Sequence, residues 1–199
     1  FPAKRTILVV NGHGAGIVNF NTVGPFSKHR ANALASSRDD TSGTYFSEKR
    51  LSKELKQVLG HKKLDLFVYN SCYMGGVEVM HELSQIADFA VASEDHIILG
   101  RGDMVQGEER KMGMGIPVFL LPTFVDNNLQ GSIQGVARFL VSEFEKAYNN
   151  FPATVEQVQY TLAAYDLSKI SEVSFLYNKM IDEFNQLSAR DPTHYANFY

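Results

Sequence analysis

Short apolar runs alternate along this chain with stretches of helical period, and the runs stop at small polar residues. Ile7-Leu8-Val9-Val10 leads into Asn11-Gly12-His13-Gly14-Ala15-Gly16, Leu64-Asp65-Leu66-Phe67-Val68-Tyr69 into Asn70-Ser71-Cys72, and Phe89-Ala90-Val91-Ala92 into Ser93-Glu94-Asp95. Runs of this length, bounded by Gly, Asn or Ser, read as buried strands. Between them, Ser47 is placed to cap a helix with Leu51, Leu55, Val58 and Leu59 on one face and Gly60 as its stop. Gly75-Gly76 opens a helix carrying Val77, Met80 and Leu83, and Ser132 begins one running through Val136, Phe139, Leu140 and Phe144 to Tyr148. Tyr160–Tyr165 reads as a further strand, after which Ser168 caps a last helix whose Val173, Leu176, Tyr177, Met180, Phe184 and Leu187 recur at helical spacing and are expected to pack in the core. The alternation predicts an α/β fold with a mainly parallel sheet. Residues 17–46 and 97–130 lack either period; the second is expected to be a long mobile loop beside the site.

With 199 residues, 44% of them hydrophobic, the chain is sized for one substantial core, so residues 1–199 are read as a single domain with 150–199 as its C-terminal strand-helix extension. The net charge of −3 leaves no electrostatic footprint for nucleic acid, and no stretch reaches the length of a membrane span. The Lys and Arg clusters at 28–38, 49–63 and 101–111 read as solvated faces. The first strand begins almost at Phe1, which predicts that earlier elements of the sheet lie outside this sequence.

Chemistry enters at the strand ends. In an open α/β sheet the loops leaving the carboxyl ends of the strands build the site. One such end carries Cys72, the single cysteine, and another carries His13 between two glycines. A thiol becomes a nucleophile when a base or imidazolium makes it a thiolate, so the pair points to a cysteine-histidine hydrolase. The Gly14 amide, with no side chain in the way, and the Cys72 amide are candidate donors to a tetrahedral oxyanion. One cysteine excludes an internal disulfide and a cysteine-rich zinc site. His29, His61, His81, His96 and His194 show no paired ligand spacing, so no structural metal is assigned.

Beyond the dyad, the order of blocks resembles the clostripain-like cysteine peptidases, a family grouped with caspases, legumains and gingipains. The resemblance rests on Pro2-Ala3-Lys4-Arg5 through His13-Gly14, Asp39-Asp40-Thr41-Ser42-Gly43, Asn70-Ser71-Cys72-Tyr73-Met74-Gly75 with Glu78, Ser93-Glu94, and Leu162-Ala163-Ala164-Tyr165-Asp166-Leu167-Ser168-Lys169. It implies a caspase-like three-layer α/β/α sandwich, catalytic His13 and Cys72, peptide or protein substrates, and secretion or cell-surface location in a bacterium. It further implies a zymogen nicked between the histidine and cysteine blocks, which would leave the N-terminal segment as a light-chain partner. Lys28, Arg30 and Arg38 are the candidate cleavage points. No cofactor is expected; calcium enters by resemblance alone, and Asp39-Asp40 lacks the spacing of an EF-hand.

The resemblance also exposes a departure. Relatives cleave after Arg or Lys with an acid two residues before the nucleophile and another in the loop after the Ser-Glu strand end. Here the first position is Asn70, and Arg101 falls at or beside the second. Either the pocket has lost both acids and gained a cation, or Asp103, Glu94 or Asp95 keeps it negative, with Ser93 at its edge. Two other classes compete with the peptidase: a peptidase-like protein that binds without catalysis, and a phosphate-binding module using Gly12, Gly14 and Gly16. The second lacks the acidic residue that a dinucleotide site places at its next strand end.

Overall fold

The computed structural model describes residues 3–12, 14, 16, 35–39, 44–97, 104–105, 108–109, 115–122, 131–149 and 160–190. Among them, four strands form one sheet: β1 (Ile7–Asn11), β4 (Leu64–Asn70), β5 (Ala87–Ala92) and β8 (Ala163–Asp166), in the order β1-β4-β5-β8. The first three are parallel and β8 closes one side antiparallel to β5. Two small ribbons accompany the sheet, β2 (Ala35–Asp39) with β3 (Thr44–Ser47) and β6 (Met104–Val105) with β7 (Glu108–Glu109). The helices are α1 (Glu48–Leu59), α2 (Val77–Leu83), α3 (Ile133–Asn149) and α4 (Ile170–Arg190).

Strand alternation sorts the core into two faces. Phe67 and Tyr69 of β4, with Leu8 and Val10 of β1, meet α2 residues Val79, Met80 and Leu83 and the inner side of α1. Leu66, Val68, Ile7 and Val9 point the other way, onto Val136, Ala137, Leu140 and Phe144 of α3. The sheet is therefore the middle of a three-layer α/β/α sandwich. Burying each such Leu or Phe side chain stabilises the fold by roughly 1.5–3 kcal/mol, which is why the two apolar faces dictate where the helices sit.

Several expectations need correction. Ser47 caps α1 through its side chain, accepting from the Arg50 amide, and Gly60 ends the helix. Yet Val58 is 83% exposed, because the buried face of α1 is turned toward Glu48 and Ser52. Glu48 is fully buried and accepts a hydrogen bond from the Tyr69 hydroxyl. Residues 17–46 contain strand pairing that their composition hid, and 97–130 contains the β6–β7 ribbon and core side chains at Ile97, Ile116 and Leu121. The last strand starts at Ala163, while Tyr160 packs with Phe144 and Tyr148. Asp166, not Ser168, caps the turn Leu167–Lys169 that leads into α4.

The largest correction concerns α4. Its apolar stripe is not core: Val173, Phe175, Leu176, Tyr177, Met180, Ile181 and Leu187 are seven of the eight large hydrophobic side chains exposed among the described residues. Ile170 and the preceding Leu167 anchor its first turn in the core, and one turn on the Ser174 hydroxyl lies 3.1 Å from His81 Nδ1 of α2.

Candidate active site

The site is built where β1 and β4 end side by side. Their parallel register pairs Asn11 with Asn70, so His13 and Cys72 each follow two residues after a paired asparagine. The ladder extends one step further, the Gly12 amide donating to the Asn70 carbonyl at 3.4 Å. His13 itself, with Arg101, Asp103, Lys28 and Arg30, lies outside the described residues.

Gly14, on the far side of His13, lies directly against the cysteine loop. A Cβ placed there would come within 2.2 Å of the Cys72 carbonyl oxygen and 2.7 Å of Met74 Cγ, so only glycine fits that approach. The loops bearing His13 and Cys72 are thus in contact through residues immediately flanking the histidine.

Cys72 is partly exposed, and its sulfur faces Ile97. The Ile97 amide donates to Sγ at 3.2 Å, while Sγ lies 3.4 Å from the Ile97 carbonyl oxygen, to which a thiol donates. The sulfur is thus held between a backbone donor and a backbone acceptor of one residue. Beside it, Ser71 is fully buried, and its hydroxyl has no hydrogen-bond partner among the described residues.

The loop after Cys72 is clamped to the loop after β5. Tyr73 adopts a left-handed conformation, φ 59°, rare for a residue with a bulky side chain. Its amide donates to the Asp95 carbonyl at 3.0 Å, and the Gly75 amide donates to the Ser93 carbonyl at 2.7 Å. The Tyr73 hydroxyl reaches His96 at 2.8 Å, and the His96 ring is 2.8 Å from Asp95. Burial, then the charges of Asp95 and Cys72, pushes the Tyr73 phenol up; the His96 backbone amide, then its side chain, holds the Asp95 carboxyl below the ordinary range. Gly75 is close-packed as well, since a Cβ would lie 2.7 Å from the Tyr165 hydroxyl. That hydroxyl donates to Glu94 at 3.3 Å, and burial with the Glu94 charge raises its pKa.

Of the residues singled out from sequence, the described part brings together Gly14, Asn70, Cys72, Ser93, Glu94 and Asp95 at one end of the sheet. Ser93 is buried, its hydroxyl donating to the Asp95 carbonyl and accepting from the Asp95 amide. Asn11, Tyr73, His96, Ile97 and Ile116 were not singled out as parts of this arrangement; Ile97 and Ile116 act through backbone amides, which carry no sequence signal. Asn11 had one: it occupies in β1 the position that Asn70 occupies in β4. Among the described residues no group of three or more His, Cys, Asp or Glu could hold a metal ion, and no helix is long and apolar enough to cross a membrane.

The fold is shared with solved cysteine proteases. A secreted cysteine protease from Bacteroides thetaiotaomicron superposes with a TM-score of 0.61 at 16% identity, covering 92% of this chain and 44% of that one. A second structure of a secreted cysteine protease from that organism, with an irreversible peptide inhibitor, gives 0.55 at 19% identity, covering 86% and 42%. This chain therefore spans under half the length of either. No curated protein matches it significantly in sequence. The family model of the clostripain family matches residues 1–198, and the chain belongs to that family.

Proposed function

We propose that this chain carries the catalytic dyad of a cysteine endopeptidase, with Cys72 as nucleophile and His13 as general acid and base. The observation behind this reading is the in-register β1–β4 pairing, which brings Gly14 onto the Cys72 carbonyl. Cys72 attacks the scissile carbonyl as thiolate, forming the carbon–sulfur bond and an oxyanion that accepts from the Gly14 and Cys72 amides. His13, protonated, gives its proton to the leaving amine as the carbon–nitrogen bond breaks. It then takes a proton from water, which cleaves the thioester and releases the acid.

A peptidyl acyloxymethyl ketone should alkylate Cys72. Cys72→Ala should lose both labelling and hydrolysis, by about 10³-fold or more, with its circular dichroism unchanged, and His13→Ala should slow turnover by orders of magnitude. Full hydrolysis by Cys72→Ala removes the reading. Nucleotide-induced stabilisation with no labelling of Cys72 supports the phosphate module instead, and an unreactive Cys72 with retained peptide binding supports the binding protein.

Residue preference before the scissile bond turns on the loop after β5. If Arg101 lines the pocket, a bidentate guanidinium favours Asp, Glu or uncharged residues, and Arg101→Glu should shift preference toward Arg and Lys. Strong wild-type cleavage after Arg or Lys, unaltered by Arg101→Glu, assigns the pocket to Glu94, Asp95 or Asp103.

Activation follows from connectivity. A cut at Lys28, Arg30 or Arg38 leaves β1 on one piece and β4 on the other, so the light chain stays bound through the β1–β4 ladder. N-terminal sequencing of the active species checks this, and full activity of an uncut chain overturns it. The secreted similar proteases support action outside the cytoplasm of a bacterium.

A further inference from the structure

We propose that Asn70 is a positioning residue for the dyad, holding three loops in one arrangement, and does not read the substrate's side chain; this rests on the peptidase reading above. The Ile116 amide lies 2.8 Å from Asn70 Oδ1, and Asn70 Nδ2 lies 2.8 Å from Asn11 Oδ1. An N–H only donates, so the Asn70 atom facing Ile116 must be the oxygen, and its NH₂ necessarily faces Asn11. The side chain therefore joins the strand end before His13, the strand end before Cys72 and the segment at Ile116. Its backbone carbonyl adds the contact to Gly12.

Burial points the same way. Asn70 is 6% exposed, and Ile116, its partner, is buried in the cluster that also holds Ile97, whose amide faces the Cys72 sulfur. One carboxamide therefore braces the histidine loop, the cysteine loop and the packing beneath the sulfur. A group that orients reacting loops acts on turnover alike for every substrate, whereas a pocket residue acts differently on each.

The amide chemistry supplies its own test. Asn70→Asp keeps the acceptor for Ile116, and Asn11 can turn its amide to donate to the new carboxylate. Asn11→Asp keeps the acceptor for Asn70 Nδ2. Only the double variant sets two carboxylates against each other. Each single variant should retain kcat within about fivefold, while Asn11→Asp/Asn70→Asp should fall about 10²-fold, more than the product of the singles. Asn70→Leu should lower kcat about 10–100-fold by a common factor for substrates with Arg, Ala or Asp before the scissile bond, leaving KM within about twofold.

A second readout is independent of hydrolysis. In Asn70→Leu, amide resonances of Gly12, Gly14 and Ile116 should shift together, whether or not the protein cleaves peptides. Unmoved resonances, additive Asp variants, or a reordered residue preference in Asn70→Asp or Asn70→Leu would each overturn the positioning role. Loss of the peptidase reading alone is recognised separately, by failure of wild-type Cys72 to react with the peptidyl ketone.

Discussion

The strand ends around Cys72 and the helix α4 are both drawn from apolar repeats, and they finish in opposite surroundings. At the strand ends each short run is enclosed on two faces, by α1 and α2 on one and α3 on the other, and the polar residues that follow are fastened to one another. In α4 the repeat from Val173 to Leu187 is largely exposed, while Ile170 enters the core and Ser174 meets His81 of α2. Period tells which residues share a face. Whether that face is covered depends on what lies opposite it.

Gly14→Ala tests the tight side of this comparison and should have the largest effect. The new Cβ would meet a backbone carbonyl oxygen, which cannot swing aside like a side-chain end, so the two loops must part. A cost of about 1–3 kcal/mol in unfolding free energy is expected, as for other overpacked sites, together with slower labelling of Cys72. Equilibrium denaturation and ketone inactivation rates measure the two. Wild-type values for both would mean that the loops are not in contact in solution.

Much of this arrangement was legible before any coordinates. The strands β1, β4 and β5 announced themselves because their runs are continuous, and Ser47 and Gly60 bracketed α1 because capping is local. The β2–β3 ribbon was not legible: Ala35–Asp39 is held by ladder hydrogen bonds, with no apolar alternation to betray it. Val58 misled for a related reason, since the inner face of α1 includes the buried polar Glu48 and Ser52, which hydropathy assigns to solvent. At the site, sequence supplied Cys72, Asn70 and the glycines but not their partners. The atoms facing them are mostly backbone groups of distant residues: the Ile97 amide on sulfur, the Ile116 amide on Asn70, the Asp95 carbonyl on Tyr73. Those groups exist at nearly every position, so only tertiary structure selects among them.

Met180→Ala probes the loose side. Met180 is 58% exposed near the middle of the α4 stripe, so its truncation removes little buried area. The change in unfolding free energy should stay within about 0.5 kcal/mol. A loss of about 2–5 kcal/mol, the range of core truncations, would show that the stripe is covered in solution, and the contrast with Gly14→Ala would then disappear.

The smallest effect is expected at the N-terminal end of α4. Asp166 Oδ1 accepts from the Ser168 amide at 3.0 Å and from its hydroxyl at 2.6 Å, just before Leu167 and Ile170 enter the core. The Ser168 side-chain and then backbone hydrogen bonds hold its carboxyl below the ordinary aspartate value. The folded pKa is thus lower than the unfolded one, near 3.9, so the charged form's contribution is full above that value and is lost as pH falls through the folded pKa. Asp166→Asn keeps a side-chain oxygen to cap the turn but cannot titrate. Thermal melts of the two proteins between about pH 6 and pH 2 should show a small wild-type advantage at the upper end that fades as the carboxylate protonates. A difference of the same size at both ends would show that the cap acts through hydrogen-bond geometry alone, and that charge plays no part in fastening α4 to the sheet.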